Sequence, residues 1–158
     1  MQNITIRKFE TKDAEAVSAL IAKTMRTTNA KDYSAEMIDA TLSRLTPDNI
    51  LQRANLMHFY VVCDNDKIIG CGAIGSYWGK IDESSLFNIF VLPEYQGIGI
   101  GRKIIETLER DEYFLRAKRI EIPSSITASE FYKKLGYDYK NGKKIIDEEQ
   151  HIPMEKFR

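Results

Sequence analysis

Two cysteines, four prolines and one tryptophan are all that 158 residues hold of those three types. Cys63 and Cys71 are too few for a disulfide framework, and their spacing is not that of metal ligands, so both read as small apolar core residues. An excess of charge is also missing, since Lys plus Arg equals Asp plus Glu at 23 each. Nucleic-acid readers carry a basic excess to meet phosphate, and its absence argues against nucleic acid as a partner. No apolar run approaches the ~20 residues that span a bilayer, so no membrane partner is expected. Residues Met1 to Lys8 alternate polar and apolar side chains and lack the apolar core of a signal peptide. These absences predict a cytoplasmic protein with no resident metal. At about 100–200 residues per domain, the length predicts a single domain over residues 1–158.

What is present is a hydrophobic period that changes along the chain. Ile4 and Ile6 alternate with Thr5 and Arg7 as a short first strand. Thr11 stands where a hydroxyl would cap a helix, and Val17, Leu20, Ile21 and Met25 recur behind it at helical spacing. Ser34 reads as the cap of a second helix with Met37, Ile38, Thr41, Leu42 and Leu45 on its stripe. Pro47 ends that stripe or opens a short turn through Ile50 and Leu51. From Phe59 the residues become β-branched and aromatic. Phe59 to Cys63, the turn Asp64-Asn65-Asp66 and Lys67 to Ile74 predict a hairpin, and Ser85 to Leu92 a further antiparallel strand. Gly70, Gly72 and Gly75 weaken that hairpin unless something packs close to its backbone.

Beyond a glycine-rich turn, Ile104, Ile105 and Leu108 mark a helix, and Arg119 to Ile122 a short strand that Pro123 ends. Ala128, Phe131, Tyr132 and Leu135 form another helical stripe, closed by Gly136. Asn141-Gly142 signals a hairpin into a last strand at His151 to Glu155. The order is strand, two helices, three antiparallel strands, helix, strand, helix, two strands. It predicts a mixed α/β fold around one central sheet, not a run of βαβ units.

The segment from Pro93 to Arg102 carries Gly97, Gly99 and Gly101 from a strand into a helix. Such a turn leaves backbone N–H groups free at the positive end of the helix dipole, and glycines let an anion approach without meeting a Cβ. In outline this is a diphosphate site. A P-loop requires Lys after Gly-x-x-x-x-Gly, and no such run occurs here. A dinucleotide fingerprint requires glycine where Arg102 stands, although Glu121 would suit its acidic position. The antiparallel strands upstream do not make the alternating half of a dinucleotide fold. A nicotinamide-dinucleotide enzyme is therefore the lesser alternative.

Gln96-x-x-Gly99-x-Gly101, after a strand ending Val91-x-Pro93, resembles the acetyl-coenzyme A motif of the GCN5-related N-acetyltransferase (GNAT) superfamily. Ala128-x-x-Phe131-Tyr132-x-x-Leu135-Gly136-Tyr137 resembles the fourth-helix motif of the same family, and the order of elements fits from Ile4 to Met154. The resemblance implies an acyl-CoA N-acyltransferase fold, a mostly antiparallel central sheet flanked by helices, with acetyl-CoA as co-substrate. It places the pantetheine arm, pairing like a strand, beside Ile89, Phe90 and Val91. The pyrophosphate falls on the main-chain N–H groups of Gln96, Gly97, Ile98, Gly99, Ile100, Gly101 and Arg102. Ser125, where many members carry Asn, is a further cofactor contact.

By the same resemblance Tyr132 is the proton donor to the departing thiolate, and Glu121 is favoured as general base. Asp82, Glu83 and a water chain are its rivals. The acceptor is an amine on a small molecule or a protein, attacked directly because neither cysteine lies in a motif for an acyl-enzyme. It would be read by Met25 to Tyr33 and by the last hairpin, where Asp147-Glu148-Glu149 can draw a cation. The resemblance also implies a homodimer as a form the chain can take, since homodimers are common in the family. A catalytically silent acyl-CoA sensor is the alternative from another class.

Overall fold

A computed structural model of the chain describes residues 3–158. Met1 and Gln2, the start of the segment read as unlike a signal peptide, lie outside the described residues. The first half contains β1 (Ile4–Lys8), α1 (Ala14–Thr27), α2 (Ala35–Leu42), α3 (Pro47–Leu56), β2 (His58–Asp64), β3 (Lys67–Ser76) and β4 (Glu83–Val91). There follow α4 (Ile100–Leu108), α5 (Glu112–Leu115), β5 (Arg119–Ser125), α6 (Ser129–Lys134), β6 (Asp138–Tyr139) and β7 (His151–Phe157). The strands form one seven-stranded sheet in the order β1-β2-β3-β4-β5-β7-β6. Every pair is antiparallel except β4 with β5. The mixed α/β architecture is as expected, and a sheet so ordered has no dinucleotide-fold half, which removes the nicotinamide alternative at the level of the fold. Among the described residues no helix is long and apolar enough to cross a membrane.

Local chemistry explains most boundaries. Ser34 Oγ accepts from the Met37 N–H at 3.1 Å and starts α2 as read from the sequence. Thr46 Oγ1 accepts from the Asn49 N–H at 3.3 Å, with Pro47 at the first helical turn, where its missing N–H has no partner to lose. Pro47 thus opens a helix longer than the short turn expected.

Thr11 is not the cap of α1. That helix is entered through a 3-10 turn at Thr11–Asp13, where the Asp13 carboxylate accepts from the Glu10 N–H at 2.7 Å. Arg7 grips both oxygens of Asp13, at 2.8 and 3.0 Å. With Glu10 at the cap and Asp13 bonded back to it, Thr11 lies inside the turn and not at its start.

Pro123 does not end β5. Its Cα partner across the ladder is Pro153, so neither residue donates to the other and they form a non-hydrogen-bonded pair. The backbone of Pro123 then faces β4, and no β4–β5 pairing is present at that height. Asn141 and Gly142 do turn with positive φ (56° and 73°), but the return strand begins only at His151. A long loop replaces the tight hairpin, and β7 inserts between β5 and β6.

The core is anchored where α4 crosses β3, which is buried on both faces over most of its length. A Cβ at Gly72 would stand 2.5 Å from Ile104 Cγ2, so the glycine lets the helix lie directly on the strand. Ile104, Ile105 and Leu108 complete the contact, each fully buried. This packing fixes the start of α4, and with it the glycine turn. Gly72→Ala is expected to lower stability by about 1–3 kcal/mol through overpacking, read from a urea melt.

Candidate active site

β4 and β5 pair at Glu83↔Arg119, Ser84↔Ile120 and Ser85↔Glu121, and there the ladder ends. Pro123 cannot supply the next donor toward β4, so the strands diverge. On its other edge β4 bulges against β3. Cys71 lies opposite Phe90 and Ala73 opposite Phe87, which leaves Asn88 and Ile89 sharing the place across from Gly72. Asn88 takes a positive φ of 53° to make the bulge, a conformation Asn tolerates better than most residues. Between the diverging strands opens a cavity of about 840 Å3, walled by β4, the glycine turn, the end of β5, α6 and the segment joining α1 to α2.

At one end of the cavity is the glycine turn. Gly97 and Gly99 have φ of 80° and 88°, which a side chain would strain, and the space beside each is open. Among the described residues, the main-chain N–H groups from Gly97 to Arg102 donate to no protein acceptor, and the first bond of the helix runs from Lys103 N to Gly99 O at 3.1 Å. Gln96 corrects the expectation in part. Its N–H already donates to Pro93 O at 3.2 Å, while its side-chain Nε2 donates to Val91 O at 2.9 Å and Thr28 Oγ1 at 3.1 Å. Gln96 braces the turn against β4 and α1. A Cβ at Gly101 would meet the Phe131 ring at 2.9 Å, so glycine there lets α6 close against α4.

Ile89, Phe90, Val91, Gln96, Gly97, Gly99, Ile100, Gly101, Arg102, Ser125 and Tyr132 all line this one cavity. Ile98 does not, and its side chain is exposed. Tyr132 is 5% exposed, and burial alone pushes its phenol pKa well above the usual value. Among the described residues its hydroxyl has no hydrogen-bond partner. Ser125 Oγ accepts from the Ala128 N–H at 3.2 Å, helping to turn the chain into α6.

Glu121 lies elsewhere. Its carboxylate accepts from Arg119 Nη2 and pairs with Lys140 Nζ at 2.9 Å, away from the cavity wall. Arg119 also binds Glu155 at 2.8 Å and Glu83 at 2.9 Å. Burial disfavours the Arg119 charge, and the bonds from Glu121, Glu155 and Glu83 outweigh it, raising its pKa. Glu83 is held below the usual carboxylate range by Lys80 and then by Arg119. Asp82 contributes a backbone carbonyl to the Lys118 N–H at 2.7 Å, and neither it nor Glu83 lines the cavity. None of the three carboxylates considered as base reaches the cavity.

The Met25 to Tyr33 segment, expected to read the acceptor, also walls the cavity. Tyr33 Oη donates to Gln150 O at 2.7 Å and accepts from the Ile126 N–H at 2.8 Å, and Thr127 Oγ1 donates to Asp32 at 2.8 Å. These bonds strap the α1–α2 segment across the end of β5. Arg44, Arg53, Asn88, Glu149 and His151 join the lining. Glu149 belongs to the acidic run, and His151 to the last hairpin, that the sequence assigned to the acceptor; Asn88 had a faint signal, as the polar residue interrupting an apolar strand, and Arg44 and Arg53 had none.

A single sheet whose fourth and fifth strands separate over a helix N-terminus with free N–H groups is the frame of an acyl-CoA N-acyltransferase. The family described as the acetyltransferase (GNAT) domain matches residues 55–139, more than half of the chain, and the chain belongs to it. It is 32% identical over 77 residues to the ribosomal protein bS18-alanine N-acetyltransferase of Haemophilus influenzae, covering 48% of this chain and 51% of that protein. It is 37% identical over 94 residues to an uncharacterized acetyltransferase of Streptococcus pyogenes, covering 58% and 61%. The match thus spans about half to three-fifths of the length of these relatives. Among solved structures, the PaiA N-acetyltransferase of Thermoplasma acidophilum in complex with coenzyme A superposes with a TM-score of 0.83 at 20% identity, over 99% of each chain. At that identity the likeness is one of fold.

The charge cluster at the closed end of the β4–β5 seam yields a test. Glu121→Gln removes one anion facing Arg119 and Lys140 and is expected to lower stability by about 1–3 kcal/mol, read from thermal or urea unfolding.

Proposed function

We propose that this chain transfers an acetyl group from acetyl-CoA to a primary amine by direct attack in a ternary complex. The observation that carries the reading is the run of unpartnered N–H groups from Gly97 to Arg102, opening into the same cavity as Tyr132 and the free edge of β4. Bound acetyl-CoA supplies a thioester carbonyl for the amine to attack and a thiolate leaving group.

The chain's own groups cover the remaining needs. The N–H groups from Gly97 to Arg102, at the positive end of α4 and beside the Arg102 guanidinium, suit a diphosphate. Past Ser85, the β4 edge at Ile89, Phe90 and Val91 suits an amide-bearing arm and a carbonyl gaining negative charge, although the Val91 carbonyl already accepts from Gln96 Nε2 and Thr24 Oγ1. Tyr132 keeps its proton well into the alkaline range because burial disfavours the phenolate, so it can donate to the departing sulfur. Ser125 lines the same cavity as a further cofactor contact. With Glu121, Glu83 and Asp82 outside, the groups on the cavity wall suited to take the amine proton are the His151 imidazole and the Glu149 carboxylate, 3.8 Å apart, and we take His151.

An acyl-enzyme on cysteine has no support. Cys71 is fully buried, its thiol pKa is pushed up to about 12 by burial, and Sγ donates to Asn88 O at 3.2 Å. A thiol so held is a poor nucleophile. The bS18-alanine N-acetyltransferase among the relatives acts, by its name, on an alanine amine, which agrees with an amine acceptor here. The silent-sensor alternative leaves the cavity beyond β4, toward Met37, Ile38 and Thr41, without a purpose.

Calorimetric titration with acetyl-CoA is expected to show saturable binding, and folded protein without it would end this reading. Tyr132→Phe is expected to lower kcat about a hundredfold with acetyl-CoA affinity unchanged, measured by thiol release. Unchanged turnover would remove the phenol from the mechanism. His151→Gln is expected to act on kcat in the same way.

A further inference from the structure

The cavity carries positive charge at two places, and a diphosphate would meet only one. Arg102 stands at the first turn of α4, beside the free N–H groups. Elsewhere on the wall, Arg53 of α3 reaches the middle of β4, Nη1 donating to Asn88 Oδ1 at 3.1 Å, and Arg44 lines the same cavity. Among the described residues neither Arg44 nor Arg53 has a carboxylate oxygen within 4.0 Å. Arg7, Arg26 and Arg119 each do, while Arg102, Arg110, Arg116 and Arg158 do not, so it is the place of Arg44 and Arg53 on one cavity wall that sets them apart. Arg53 is half-buried, and its charge is disfavoured first by burial and then by Arg44. Arg44 is exposed, so the cost falls on the half-buried Arg53, whose charge an anion held by both would relieve, and a guanidinium fork matches carboxylate and phosphate oxygens.

Negative charge reaches the cavity from another element. Glu149 lines it beside His151. Of the acidic run read from the sequence as a lure for cations, Asp147 is otherwise engaged, its Oδ1 accepting from the Glu149 N–H at 3.0 Å and the His151 N–H at 2.9 Å. One carboxylate and two unpaired guanidiniums thus face a single space, complementary to a molecule with an amine at one place and an anion at another.

We propose that the acceptor is a zwitterionic amine, one that also bears a carboxylate or phosphate, and that Arg44 and Arg53 hold this anion while the amine lies toward Glu149 and His151. The proposal names the substrate class of the transferase reading above and rests on it. Asn88 sits at the bulge, so the Arg53 bond to it also steadies β4. Arg44 makes no such bond, and its replacement separates anion binding from strand geometry.

The experiment begins with acetyl-CoA titration of the wild type; failure to bind overturns the transferase reading and this proposal with it. With binding in hand, thiol release is measured for glycine, β-alanine and L-glutamate against their amides, for O-phosphoethanolamine against ethanolamine, and for 1,4-diaminobutane as a dication. The anionic acceptors are expected to show kcat/KM about ten- to hundredfold above their neutral counterparts. Whichever pair shows the gap names the anion. In Arg44→Gln the gap should shrink toward parity through KM, with acetyl-CoA affinity unchanged, and Arg53→Lys should retain part of it. Equal rates for acids and amides, preference for the diamine, a gap untouched by Arg44→Gln, or no turnover of any anionic acceptor while acetyl-CoA binds would each overturn the assignment and leave the transferase reading standing.

Discussion

The site depends on a ladder that stops. β4 and β5 run parallel and pair from Glu83 to Ser85, and beyond that height the two backbones have no partner in each other. Proline at 123 withholds the N–H that would continue the ladder, and the bulge at Asn88 turns β4 on its opposite edge. A sheet normally satisfies its backbone internally, because an unpaired buried peptide group is costly. Here the unpaired edge faces a cavity instead of a neighbouring strand, so its groups are available to a molecule that can pair like one. The fold's cohesion and its binding surface come from two stretches of the same strand.

Charge is partitioned along that seam. At the closed end, Arg119 is surrounded by Glu83, Glu121 and Glu155, with Lys80 and Lys140 bound to two of those glutamates. Mutual pairing makes the burial of so many ionised groups tolerable, and it withdraws their carboxylates from proton transfer in the cavity. At the open end the arrangement is reversed. Among the described residues Tyr132 has no hydrogen-bond partner, Arg44 and Arg53 lack counter-ions, and the N–H groups from Gly97 to Arg102 lack acceptors. The paired end holds the sheet together; the unpaired end is poised for ligand groups of opposite polarity.

The position of the open end is set by packing beneath it and around its rim. Ile104 seated on Gly72 fixes the axis of α4, and Phe131 against Gly101 fixes α6 relative to its start. The Tyr33 and Asp32 bonds to Gln150, Ile126 and Thr127 then draw three separate segments together over the cavity. Each contact joins residues brought near only by the completed sheet.

The features legible in the sequence are those whose causes lie within a few residues. Three glycines between a strand and an apolar-periodic helix define a turn with free N–H groups whatever surrounds it, and Ser34 caps its helix by a bond to Met37 three residues on. The hairpin of β2 and β3 and the helical stripe ending at Gly136 follow from period and turn residues alone. Pro123 and Asn141-Gly142 misled because each local preference met a distant competitor, the diverging β4 and β7 pairing with β5, whereas Thr11 was displaced by its neighbours Glu10 and Asp13, which make the turn. Glu121 shows the limit most clearly. Alternation along β5 says that it faces away from Ile120 and Ile122, but only the tertiary structure decides that Arg119 and Lys140 wait there. Likewise, Arg53 and Asn88 are 35 residues apart and meet only because α3 comes to lie against β4. Periodicity reports which side of an element is apolar; it carries no information on which charged group from another element will share that side.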